Sequence, residues 1–338
     1  MADAAPATTL AKVAVEDPRD LDAQLREADQ PVVIRGLIAD WPLVKAGIES
    51  GAAARAYLLE YRRDRAFTVN IGEPGAGERL FYDQSMGMNF RTGRASLDDI
   101  FGGIDANEGK RDAPAIYLSS IDVQSYFDGL HEANHVDLGL RDPIESIWIG
   151  TRTRIAAHND FPDNLACVAV GRRRFTLFPP DQYANLYLGP LDNTPAGRPV
   201  SMVDLHKPDF AAFPKFRDAL KVALVAEVEP GDAIFIPSMW WHHVEALAPF
   251  NVLVNYWWRD TPRFLGQPQD ALNHAILAIR DLPEDEKQLW HQLFDHYVFG
   301  DPGTAAEHIP QDARGILDPL DAETAGRIRA NLLRSLSR

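Results

Sequence analysis

Between about positions 115 and 258 the apolar residues come in short runs cut by Gly, Pro and Asp. "AIYLSS", "ESIWIGT", "RIAAHND", "LACVAVG", "RRFTLFP", "VALVAEVEPGDAIFIP" and "FNVLVNYWW" are rich in β-branched and aromatic side chains. Runs of this length bounded by turn formers predict strands. So many in succession predict an all-β barrel or a double sheet. Upstream, "PVVIRGLIADWPLV" predicts a short strand, a Gly turn and a Trp-Pro stop, and residues 45–64 read as helical. "RAFTVNIGEPGAGERLFYD" reads as strand, turn, strand, and "ASLDDIFGGI" as a short helix capped by Ser96. Residues 1–20 are Ala-rich and weakly patterned, which predicts a loosely held arm. Residues 181–217 interrupt the strand series, and connections of that length are commonly functional.

After Asp260 the period changes. Leu272, Ile276 and Ile279 recur at helical spacing. Pro283 opens a second helix with Leu289, Leu293 and Tyr297, closed by Gly300. Asp321 is placed to cap a last helix striped by Ile328, Leu332 and Leu336. The stripes exceed what one domain needs, so a homodimer through these C-terminal helices is expected. The pattern divides the chain into an arm and lead-in (1–30), a β-rich domain (31–260) and a helical segment (261–338).

The formal charge of −15, from 34 basic and 49 acidic residues, argues against a nucleic-acid partner. Cys167 is the single cysteine, so no internal disulfide can form, and its apolar neighbours place it in a core strand. The N-terminus lacks a basic start followed by an apolar block, and no apolar run approaches the roughly 20 residues of a membrane span. A cytoplasmic protein with no membrane partner is expected.

"AHND" puts His158 and Asp160 two residues apart on a predicted strand, hence on one face. An imidazole and a carboxylate on one inner wall are two ready ligands for a divalent metal, and a histidine from a distant strand would complete a facial set with open positions. "WWHH" offers His242 and His243. Neighbours on a strand face opposite ways, so only one can join, and spacing alone leaves open which. In "GRRRFTLFPP", Arg173 shares a face with Phe175 and Leu177, pointing inward. A buried guanidinium requires an anion, either an internal carboxylate or a bound one. A metal triad beside an inward Arg suits a dicarboxylate that chelates iron at one end and meets Arg at the other, as 2-oxoglutarate does.

"PVVIRGLIADWP", "AHND", "GRRRFTLFPPDQYANLY", "PGDAIFIPSMWWHHVEAL" and "VNYWW" occur in that order over about residues 31–260. Together they resemble the cupin-like branch of the JmjC family of Fe(II)- and 2-oxoglutarate-dependent oxygenases, most closely its asparaginyl hydroxylases. The resemblance implies a mainly β fold with added helices: a double-stranded β-helix of the cupin or jelly-roll kind, plus the C-terminal helices. It implies metal ligands His158, Asp160 and His242, with His243 turned to the other face. Tyr117 and Arg173 would hold the distal carboxylate of 2-oxoglutarate, Asn164 and Asn255 would line the metal pocket, and Trp257 would wall it. The implied reaction uses Fe(II), 2-oxoglutarate and O2 to hydroxylate a C–H bond of a protein or peptide side chain, or of a small molecule. The same branch dimerises through its C-terminal helices. A cupin holding another metal, or none, is the alternative, and it leaves the inward Arg173 without a purpose. "RLFYDQSMGMNF" and residues 181–217 could flank a peptide groove, with Phe81 and Tyr82 as candidate contacts and plain packing as the alternative for both. Three departures stand out: Arg173 replaces the usual Lys, Ile155 a frequent Thr, and Ser119 a substrate-binding Gln. The last argues against the same Asn-peptide substrate.

Overall fold

The computed structural model describes residues 11–16, 21–73, 75–110 and 112–337. It forms two compact units, Met1–Arg259 and Asp260–Arg338. The strands of the first are β1 (Ala11–Lys12), β2 (Ala14–Glu16), β3 (Val32–Ile34), β4 (Phe67–Gly72), β5 (Arg79–Leu80), β6 (Phe90–Ala95), β7 (Ile116–Asp122), β8 (Ile144–Gly150), β9 (Thr153–Asn159), β10 (Asp163–Val170), β11 (Arg173–Phe178), β12 (Leu224–Val228), β13 (Ala233–Ile236), β14 (Trp241–Ala246) and β15 (Asn251–Trp258). One sheet runs β1-β12-β11-β14-β9-β5 and the other β2-β3-β13-β10-β15-β8-β7-β4-β6. β8 to β15 supply four antiparallel strands to each sheet, which is the jelly-roll arrangement expected for the β-rich region.

Alternation gives the nine-stranded sheet two apolar faces and hence two cores. Its outer face packs Ile147, Ile149, Val254 and Tyr256 against Leu43, Leu58 and Ile100 from three helices, Pro42–Glu49, Gly51–Tyr61 and Leu97–Asn107. Its inner face packs Ala166, Val168, Ile234 and Ile236 against Phe175 and Leu177 of the other sheet. The β10–β11 turn needs Gly171: φ is +73°, and a Cβ there would lie 2.4 Å from Asn251 Oδ1. That turn sets the register in which Arg173 points inward.

Two expectations are corrected. The helical stretch at 45–64 is two helices parted at Ser50, whose extended backbone ends the first and whose hydroxyl accepts from Ala53 N to cap the second. The arm, where described, is not loose: Ala11–Lys12 pairs in parallel with β12, and Ala14–Glu16 with β3. Residues 1–10 and 17–20 lie outside the described residues. Ser96 caps its helix as expected, accepting from Asp99 N.

The second unit is helical, with Pro268–Ala278, Glu284–Phe294 and Ala322–Leu336 as its long helices. Asp321 caps the last one through Thr324 N at 2.7 Å. Among the described residues its only buried apolar side chains are Ala305, Ala306 and Ala325, while Leu289, Leu293, Leu332 and Leu336 are exposed. No helix among the described residues is long and apolar enough to cross a membrane.

Candidate metal and anion site

His158 near the end of β9, Asp160 just beyond it and His242 at the start of β14 come together because the two strands pair with His242 opposite His158. One ligand atom from each lies within 4.8 Å of the others. The His158 and His242 ring centroids are 4.4 Å apart, and His242 Nε2 is 3.6 Å from Asp160 Oδ2. Both histidines use Nδ1 in the same way. His158 Nδ1 meets the Ala156 carbonyl at 2.9 Å, and His242 Nδ1 meets the Trp240 carbonyl at 3.1 Å. A carbonyl can only accept, so each Nδ1 donates its N–H there, which leaves each Nε2 as the nitrogen available to a metal. Burial, and then the neighbouring His158, push the His242 pKa down to about 4, so its ring is neutral. Two imidazoles and one carboxylate on one wall form the donor set of a 2-His-1-carboxylate centre, and the residues fit a divalent iron.

The cavity over this triad has a volume of about 350 Å³. The eight residues expected to hold the metal and the cosubstrate line it: Tyr117, His158, Asp160, Asn164, Arg173, His242, Asn255 and Trp257. Arg173 is 2% exposed, its Nε has no hydrogen-bond partner, and it makes no ion pair among the described residues. Burial lowers its pKa from the ordinary value. Of the two readings open for this side chain, an internal carboxylate partner is therefore not present among the described residues. Tyr117 is also buried, which pushes its phenol up to about 12 and leaves a neutral O–H donor, with the Arg173 charge opposing that rise. Asn255 is locked: its Oδ1 accepts from Trp148 Nε1 at 2.7 Å and its Nδ2 donates to Asn164 Oδ1 at 3.3 Å. Trp257 stands edge-on to Trp148 at 5.8 Å.

Ile155, Phe175, Val244 and Leu253 make the apolar part of the wall, so Ile155 presents a methyl surface where a hydroxyl was expected in relatives. Ser119 reaches the cavity too, accepting from Asn70 Nδ2 at 3.4 Å. Phe81 and Tyr82 do not line it. They pack with Val200 and Ala156, so of the two readings open for them, groove contact and plain packing, the structure shows packing. Residues 181–217 are not structureless: Leu186, Val203 and Phe216 pack around Phe178 and Trp241. Pro195, Ala196 and Gly197 of that segment close one side of the cavity. Asn70 and Trp148 were not anticipated, whereas these three belong to the 181–217 segment already singled out. Trp148 was recoverable, since it alternates with the outward Ile147 and Ile149; Asn70 carries no local signal.

His243 faces the other way, as its place in the strand requires. It is 4% exposed, its Nδ1 makes no hydrogen bond among the described residues and stands 4.0 Å from Glu245 Oε2, and its pKa is pushed down to about 3, first by burial and then by His206. Beside it, Glu245 meets His206 Nε2 at 2.5 Å, tying residues 181–217 to the back of β14.

Residues 18–264 match the family model described as "Cupin-like domain". Among curated proteins, the chain is 35% identical over 304 residues to an HSPB1-associated protein 1 homolog of Danio rerio, covering 81% of this chain and 62% of that protein. It is 35% identical over 134 residues to the tRNA wybutosine-synthesizing protein 5 of Danio rerio, covering 39% of this chain and 38% of that one. It is 32% identical over 116 residues to a lysine-specific demethylase of Arabidopsis thaliana, covering 34% of this chain and 21% of that one. The aligned regions thus span less than two thirds of each relative's length.

Proposed function

The chain belongs to the cupin-like family of JmjC type, and from that premise we propose that it is an Fe(II)- and 2-oxoglutarate-dependent oxygenase that hydroxylates a protein or peptide side chain. The observation that carries the proposal is Arg173, a fully buried cation with no carboxylate partner among the described residues, in the cavity that holds the His158, Asp160 and His242 ligands. A bound dicarboxylate satisfies both ends at once. A metal-only cupin leaves the guanidinium buried and unpaired, which is strongly unfavourable.

His158, Asp160 and His242 would hold the iron. When bound, it couples O2 and the decarboxylation of 2-oxoglutarate to oxidation of a C–H bond. The chain's own contribution is binding and exclusion. Arg173 and the Tyr117 hydroxyl receive the distal carboxylate. Trp148 and Asn164 fix the Asn255 amide, so that it meets the ligand in one orientation. Ile155, Phe175, Val244 and Leu253 keep water from the Arg173–carboxylate pair, which strengthens it in a low-dielectric setting. With the cosubstrate in a cavity of about 350 Å³, what remains suits a side chain entering from outside better than a second whole ligand.

The exposed stripe of Leu289, Leu293, Leu332 and Leu336 supports a homodimer through the C-terminal helices. The single buried Cys167 is compatible with a cytoplasmic setting. The test is uncoupled turnover: the pure protein with Fe(II) and ascorbate is expected to convert 2-oxoglutarate to succinate, with Arg173→Ala slowed at low cosubstrate. No succinate from an iron-loaded protein would remove the oxygenase reading.

A further inference from the structure

We infer that the free edge of β6 docks the substrate as an added strand, and that the substrate is an extended peptide with two acidic residues three apart. The inference rests on the oxygenase reading for what is docked, but not for the docking itself.

Among the described residues β6 is the last strand of the nine-stranded sheet and pairs only with β4. Alternate residues along it turn their N–H and C=O groups away from β4, and its four central residues, Arg91 to Arg94, are exposed. The edge is continuous with the cavity. Phe90 lines the cavity together with His158 and Arg173. Thr92, on the same face as Phe90, donates to Asn70 Oδ1 at 2.7 Å, and Asn70 lines the cavity in turn. A peptide paired along β6 therefore aims the side chain opposite Phe90 at the cavity.

The charge on this edge decides the partner. The whole chain is at −15, yet β6 carries Arg91 and Arg94 and no acidic residue. Neither arginine makes an ion pair among the described residues; Arg94 Nη2 reaches only the Ala66 carbonyl, at 3.3 Å. A second copy of β6 is disfavoured. Antiparallel pairing centred on Thr92 and Gly93 sets Arg91 against Arg94, like charge against like charge. A peptide with acidic residues opposite both arginines gains at the same two positions. They are three apart and lie on opposite faces of the strand. The oxidised residue then sits next to the acidic one opposite Arg91. Nucleic acid has no backbone that can continue a β-ladder, so the edge favours peptide over RNA.

Fluorescent dodecapeptides of otherwise identical sequence test this by anisotropy on the full metal-free chain. One carries Glu-x-x-Glu, one Lys-x-x-Lys, and one has its glutamates five apart. The Glu-x-x-Glu peptide is expected to bind at least tenfold more tightly than the other two. Methylating its backbone N–H groups on one alternating set is expected to abolish binding, and on the other set to leave it. In the doubly reversed chain, Arg91→Glu with Arg94→Glu, the preference should pass to the Lys peptide. Equal binding of all peptides, an unchanged preference after reversal, or tighter binding of a twelve-nucleotide poly-uridine would overturn the inference. Succinate formation without peptide is read in parallel on the same variants. It is expected to be unchanged, so failure of docking and failure of the oxygenase reading remain distinct results.

Discussion

Arg173 raises the free energy of the cosubstrate-free chain, because a guanidinium between two sheets has given up water without gaining an anion. Arg173→Met keeps most of the volume and removes the charge. It is expected to stabilise the apo protein by about 1–4 kcal/mol, the range for replacing buried charge with apolar contact. The same change should raise the apparent KM for 2-oxoglutarate roughly 30- to 1000-fold, equivalent to about 2–4 kcal/mol of lost charge-assisted hydrogen bonding. A melting curve and a cosubstrate titration on one preparation check both; a variant that is less stable yet saturates normally would contradict the assignment. The two histidines of "WWHH" separate in the same manner. His242→Ala is expected to lose iron, and His243→Ala to keep it, by direct metal analysis. His243 also has a pH signature. Its pKa is lowered to about 3 in the fold against 6.5 when unfolded, so between those values the unfolded chain binds the extra proton. Stability should therefore be full above pH 6.5 and fall as pH drops below it, by about 1.4 kcal/mol per pH unit for one proton. Denaturant midpoints between pH 4 and 7 should show a shallower slope in His243→Ala.

At the scale of elements, the cosubstrate pocket depends on how closely β7 lies on β8. A Cβ on Gly150 would stand 2.4 Å from the Ile116 carbonyl oxygen and 3.2 Å from Tyr117 Cα. Gly150→Ala must push β7 away and carry Tyr117 with it. It is expected to cost about 1–3 kcal/mol, as overpacking does, and to weaken 2-oxoglutarate binding with iron content retained. Unaltered cosubstrate affinity would show that Tyr117 is not part of the carboxylate contact. Strands β7 to β15 were legible because their period and β-branching are local properties, and the inward face of Arg173 followed from alternation with Phe175 and Leu177. The choice between His242 and His243 was not legible from period. The strand begins after a turn in which Met239 has φ +68°, so its phase cannot be counted from the preceding apolar run. The pairing of Ala11–Lys12 with Leu224–Val225 was equally invisible, since its partner lies more than two hundred residues away. Asn70 was missed for the same reason. Its strand joins the site only through pairing with β7.

For the molecule as a whole, the helical unit after Arg259 buries three alanines among its described apolar residues and leaves its leucine stripes in water. Stable dimers bury about 800 Å² or more per partner, and sedimentation at micromolar concentration is expected to show a dimer. A chain ending at Arg259 should sediment as a monomer; a full-length monomer would end that reading. The last consequence concerns β14, whose two sides serve different masters. His242 is presented to the cavity, while one and three residues further on His243 and Glu245 hold the back, where His206 of the 181–217 segment is bound. That segment also contributes Pro195, Ala196 and Gly197 to the cavity wall. Exchanging it for the corresponding stretch of a relative is therefore not a change of loop alone. A chimaera without a counterpart of His206 takes the nearest partner from the buried Glu245 behind the metal ligand and leaves it only the longer approaches of Arg174 at 3.8 Å and His243 at 4.0 Å, so loop and strand are to be transplanted as one piece.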